Sequence, residues 1–224
     1  MTDIQIQPGC QANISTLSDE SLEPFNALIL RTTEGPALSA KELASLQKWV
    51  RRGGSLIVSA FSNWSDHCHY AQATVGWLGI TTFPGARFRR HQVRKLKPLP
   101  GITTNGAFGN VTVFDNSGET VFSLNANGGD DDDDLAITSL DSENYNVQIP
   151  PFYERVFGAV REVAHGPNMT CLAYALPSSS SQGHVLVTSN YHWLANNTHW
   201  NGGTWTSSPS NQTLLYNFLA KGLT

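Results

Sequence analysis

Phe25-Asn-Ala-Leu-Ile-Leu-Arg31, Thr32-Thr-Glu-Gly-Pro36 and Leu38-Ser-Ala-Lys-Glu-Leu-Ala-Ser-Leu-Gln-Lys-Trp-Val-Arg-Arg-Gly-Gly-Ser-Leu-Ile-Val-Ser-Ala-Phe61 form the stretch that decides the fold. The first piece is an apolar run of strand length, and the second is a turn. The third opens a helix. Ser39 is a good N-cap and Glu42 stands three residues on, the spacing of a capping box. Leu43, Leu46, Trp49 and Val50 fall on one helical face. Lys48, Arg51 and Arg52 crowd the last turn, where the helix dipole favours cations, and Gly53-Gly54 stops it. Ser55 to Phe61 is then apolar on both sides, as a central parallel strand must be. Strand, helix, Gly-Gly and strand in this order predict a βαβ unit.

Outward from this unit the pattern loosens. Asp66 to Leu78 predicts a second helix, ended by Gly79. Residues 80–150 read as short strands and turns. Asn110-Val-Thr-Val-Phe and Thr120-Val-Phe-Ser-Leu flank Asp115-Asn-Ser-Gly, which predicts a β-hairpin. Asp130 to Asp134 form an acidic run after Gly128-Gly129. Five consecutive carboxylates suit a solvated loop better than the spaced ligands of a Ca²⁺ site. Phe157 to Val163, Met169 to Leu176 and His184 to Thr188 suit strands, the last two joined by a polar hairpin loop. Asn211 to Leu223 is an amphipathic helix carrying Leu214, Leu215, Phe218 and Leu219, with Ser210 or Asn211 as its expected cap.

The chain has 224 residues, which fits one domain over 1–224 with a β-rich insertion at 80–150. Only 14% of the residues are charged, and the net charge is −4. That balance gives no electrostatic reason to expect a nucleic-acid partner. The basic run Arg87 to Lys97 reads as a solvated strand or hairpin edge. No run approaches the length of a membrane span, so no membrane insertion is expected. The start, MTDIQIQPGC, is too polar for a signal peptide.

Six N-x-[ST] sequons occur, at Asn13, Asn63, Asn110, Asn168, Asn196 and Asn211. A chain this rich in Asn, Ser and Thr would carry roughly three by chance. The surplus and the sparse charge favour a secretory-pathway or extracellular protein, with a cytoplasmic one as the alternative. Cys10, Cys68 and Cys171 allow one internal disulfide at most, and none lies in a C-x-x-C pair.

Three features together carry a family resemblance: the strand and turn from Ala27 to Pro36, the Leu38 to Val58 motif, and Gly183-His-Val-Leu-Val-Thr-Ser-Asn190 followed by a helix containing Asn217. Over residues 25–80 and 183–220 the chain resembles the class I glutamine amidotransferase-like superfamily, including its ThuA-like group. A fainter likeness, through Gly-Gly-Ser-Leu-Ile and Phe83-Pro-Gly85, is to the amidotransferase-like domain of TRPM-channel-associated factors. The resemblance implies an α/β fold: a mainly parallel, flavodoxin-like sheet flanked by helices. Active members place a Cys nucleophile in Gly-x-Cys-x-Gly and a later His-x-Glu pair. Neither motif occurs here, so the resemblance implies a catalytically degenerate member with no cofactor.

Two constellations remain. His67-Cys68-His69 is the one cluster of metal-ligand types, and a zinc site would need further ligands such as Asp66, His91 or His192. A polar loop explains it as well, and no metal is expected. The segment 190–205 is richer, with Asn190, Tyr191, His192, Trp193, Trp200 and Trp205 just after a strand. In an open α/β sheet, ligands bind beyond the carboxyl ends of strands. Glu34, Asn63 and Trp64 follow the other two parallel strands and would line the same crevice. Aromatics with amides suit a carbohydrate or a protein partner, including a second copy of the chain, and they equally suit a loop packing its own rings. The expected function is a non-catalytic binding or assembly module with no catalytic residues. The alternative is a hydrolase of sugars or glycoconjugates with an atypical site at Glu34 and His192.

Overall fold

The computed structural model describes residues 16–31, 38–59, 74–82, 92–116, 122–124, 135–140, 169–170, 172–177, 183–188 and 208–222. Its centre is a five-stranded sheet. In spatial order the strands are β1 (Ala27–Arg31), β2 (Ser55–Ser59), β10 (Val185–Thr188), β9 (Leu172–Pro177) and β7 (Leu135–Ser139). β1, β2 and β10 run parallel. β9 is antiparallel to β10 and to β7, so four strands share one direction and only β9 is reversed.

The helix α2 (Ala40–Arg51) forms as the sequence predicts. Ser39 Oγ accepts from the Glu42 amide at 3.3 Å, and the Glu42 carboxylate accepts from the Ser39 amide at 2.9 Å. These bonds, Ser39 first, hold the Glu42 carboxyl below its usual range. A short helix α1 (Asp19–Leu22), which the sequence reading did not anticipate, is tied to α2 by ion pairs from Asp19 to Lys48 and Arg52.

The strand alternation sends side chains to two cores. Leu56, Val58, Ala173, Ala175, Val185 and Val187 meet Leu46, Trp49 and Val50 of α2 on one face. Ile57, Leu172, Tyr174 and Leu186 meet Leu214, Leu215 and Phe218 on the other. Those last three belong to the C-terminal helix α3 (Pro209–Lys221). Leu56, Ile57 and Val58 are each fully buried, as expected of a central parallel strand.

Two expectations need correction. α3 begins earlier than read, because Ser208 caps it and Pro209 takes the first turn, where a missing N–H costs nothing. The hairpin across Asp115 does not form. β5 (Val113–Asn116) pairs with β4 (Gln92–Lys95), while β6 (Phe122–Leu124) pairs with β3 (Ile80–Thr82) and β8 (Met169–Thr170). Strand propensity located both segments, but partner choice is a tertiary matter. β7, from within the 80–150 segment, is the fifth strand of the main sheet. Of the helix expected at 66–78, residues 66–73 lie outside the described residues, Thr74–Val75 are helical, and Gly76–Leu78 is a 3₁₀ turn closed by Gly79 at φ +72°.

The polar loop expected between β9 and β10 joins an antiparallel pair, as read. The acidic run 130–134 and the strand read at 157–163 lie outside the described residues.

Candidate functional site

Register places the ends of three neighbouring strands on one line. Arg31 stands opposite Ser59, and Ser59 opposite Thr188. Adjacent strands lie about 5 Å apart, so these carboxyl ends span roughly 10 Å of rim. The chain leaves Arg31 toward Glu34, leaves Ser59 toward Asn63 and Trp64, and leaves Thr188 toward Asn190, Tyr191, His192, Trp193, Trp200 and Trp205. Those nine residues lie outside the described residues; what the structure brings together is their points of departure. On the far side of β10, Thr188 stands opposite Leu172, the residue after Cys171. This rim is where an open α/β sheet binds its ligands.

The opposite end of the sheet holds chemistry that sequence reading missed. The Tyr174 hydroxyl and His184 Nδ1 are 2.7 Å apart and buried. Phe218 of α3 meets both rings edge-on. Burial pushes the Tyr174 phenol well above its ordinary range, so it stays protonated while it shares its hydrogen bond with Nδ1. Burial first, and the Lys221 charge second, hold the His184 imidazole below its usual value, against a hydrogen bond to the Lys221 main chain that favours the cation. The imidazole is therefore neutral at pH 7. The sequence signal was available: Tyr174 interrupts an apolar alternation on the same face as Leu172.

Two residues at this end fix the chain tightly. Gly183 donates its amide to the Val50 carbonyl at 2.7 Å, and a Cβ there would sit 1.8 Å from the Gly54 carbonyl oxygen. Lys221 Nζ donates to the Pro100 carbonyl at 3.0 Å.

Asn217, on α3, is fully buried and uses both ends of its amide. Nδ2 donates to the carbonyls of Ile102 and Gly109, each at 2.8 Å, and Oδ1 accepts from the Phe108 amide at 2.8 Å. The loop it holds is braced again by Thr103, whose Oγ1 accepts from the Leu99 amide and donates to the Lys97 carbonyl. Phe108 leans on Tyr216 with ring centroids 5.3 Å apart, yet remains 45% exposed.

Two of the six sequons fall within the described structure, and they differ. Asn110 is exposed at the end of this loop. Asn211 is 1% exposed in the first turn of α3. Asn13, Asn63, Asn168 and Asn196 lie outside the described residues, as do His67, Cys68, His69, His91 and His192. Among the described residues no three His, Cys, Asp or Glu side chains gather to hold a metal ion. No described helix is long and apolar enough to cross a membrane.

No family model matches the chain, and no curated protein does. Among solved structures it is similar to the mmIFT52 N-terminal domain, with a TM-score of 0.60 and 12% identity over 93% of this chain and 81% of that one. It is also similar to the cytoplasmic protein STM3548 from Salmonella typhimurium, with a TM-score of 0.50 and 13% identity over 91% of this chain and 74% of that one. At such identities the likeness is one of fold: a mixed α/β domain whose mostly parallel sheet is flanked by helices.

Proposed function

We propose that the chain is a non-catalytic binding or assembly module of a secreted or cell-surface glycoprotein, on a flavodoxin-like and amidotransferase-like framework. It works through the rim where β1, β2 and β10 end. The observation that carries this reading is the common register of Arg31, Ser59 and Thr188, which precede Glu34, Asn63 with Trp64, and the aromatic- and amide-rich sequence 190–205 respectively. Trp193, Trp200 and Trp205 supply rigid apolar anchors of the kind that dominate protein interfaces. Carbohydrate is the second class of partner, since rings and amides suit sugars equally.

Two further observations support a binding role over a catalytic one. The sequence lacks a nucleophile elbow, and the Tyr174–His184 pair is buried at the sheet against the Phe218 ring. Likeness to an N-terminal domain, by its name one part of a longer protein, fits a module.

The test compares the chain purified from its native source with a Trp193→Ala, Trp200→Ala, Trp205→Ala variant by size-exclusion chromatography. Wild type should elute in an assembly well above its 24.4 kDa. The variant should elute alone with an unchanged circular dichroism spectrum. A wild-type chain that elutes alone and cleaves glycosides, with activity lost in Glu34→Gln, would instead establish the sugar hydrolase.

A further inference from the structure

The loop held by Asn217 carries one sequon with unusual surroundings. Phe108-Gly109-Asn110-Val111-Thr112 puts an aromatic residue two positions before the acceptor asparagine. Gly106 to Gly109 is a tight turn closed by the Gly109 amide on the Gly106 carbonyl at 3.0 Å, and Gly109 adopts φ +113°, a conformation glycine takes without strain. The turn is clamped from inside by Asn217. It is fixed within the sequon by the Val111 amide on the Thr103 carbonyl and the Leu96 amide on the Thr112 carbonyl, each at 2.8 Å.

Asn110 is pre-set for substitution. Its Oδ1 accepts from the Asn105 amide at 2.7 Å, which leaves the Nδ2 nitrogen, the atom that bonds to a sugar, on an exposed residue. Thr112, the third sequon residue, is exposed as well. Phe108 lies within about 7 Å along the chain, and almost half of its surface is open. A pyranose ring offers a face of C–H groups that packs on an aromatic face.

We propose that Asn110 is an N-glycan acceptor whose first N-acetylglucosamine rests on Phe108, and that Asn211 stays bare. This rests on the secretory reading above. Asn211 would carry its sugar into the seam between α3 and the sheet, so a chain modified there cannot close that seam. Asn110 modification leaves every hydrogen bond of its loop intact, because Oδ1 and not Nδ2 is engaged.

The experiment is glycopeptide mapping of the natively produced chain at all six sequons, followed by unfolding of a form that keeps only Asn110 and Asn211. In that form Asn13, Asn63, Asn168 and Asn196 are each changed to Gln. The expected result is a glycan at Asn110 and none at Asn211. Trimming to the first sugar should keep the urea midpoint, removing that sugar should lower it, and Phe108→Ala should abolish the difference. A bare Asn110 beside glycans at other sequons would overturn the inference and leave the secretory reading standing. No glycan at any sequon would overturn both. Glycan at Asn211 in the folded chain, or an Asn110 glycan whose first sugar gives the same stabilisation in Phe108→Ala, would refute the packing arrangement.

Discussion

The two faces of the central sheet are sealed in different ways. Under α2, Leu46, Trp49 and Val50 close on Leu56, Val58, Val185 and Val187, an aliphatic and indole core. Under α3, Leu214, Leu215 and Phe218 share the interface with Tyr174, His184 and Asn217, three buried polar side chains with partners. A hydrophobic face tolerates small shifts, because burial is non-directional. A face carrying buried hydrogen bonds does not, because a displaced partner leaves a desolvated group unmatched. The α2 face therefore supplies adhesion, and the α3 face supplies alignment.

Leu46→Ala should break the adhesive side most severely. Leu46 is fully buried, and the cavity should cost about 3 kcal/mol in a urea titration. Amide exchange should accelerate across the whole sheet. Asn217→Leu should cost less, about 2 kcal/mol, by stranding the Ile102 carbonyl in the core. Its signature should be local, with exchange rising at residues 102–111 while β2 and β10 stay protected. If both variants loosen the same amides equally, the contrast between the faces is wrong.

Smaller effects sharpen the contrast further. Ser39→Ala removes one half of the α2 capping box and should cost about 1 kcal/mol, measured at the same denaturant midpoint. The last effect is titration. His184 is held below its unfolded value, so the folded state binds fewer protons. Its stabilising contribution is complete above pH 6.5 and is lost as pH falls from there through the folded value. His184→Gln should flatten the dependence of unfolding free energy on pH in that window, while Leu46→Ala should leave its slope unchanged.

The same division explains what was legible in the sequence. The α2 face was readable because its determinants are local: a capping box at Ser39 and Glu42, apolar residues at helical spacing, and a glycine stop. The α3 face was not, because Asn217 finds its partners more than a hundred residues earlier, at Ile102, Phe108 and Gly109. Nothing within a helical window distinguishes such an asparagine from a solvated one. The burial of Asn211 was hidden for a related reason. A sequon records three residue types and carries no information on burial. The rim was legible in outline, since a strand–turn boundary marks each departure point. That β1, β2 and β10 end level with one another needed the pairing register, which alternation alone does not specify.

The pairing of β2 with β10 also sets a schedule for synthesis. Leu56 meets Val185 across a gap of about 130 residues, a separation that slows folding because the loop must close before the contact is rewarded. At ordinary rates of translation β10 follows β2 by roughly 10 seconds. Throughout that interval the nascent βαβ unit has an apolar strand with one unpaired edge, Leu56-Ile57-Val58, waiting for its neighbour. The cell must shield that edge, or crowding among ribosomes will pair it with the wrong chain.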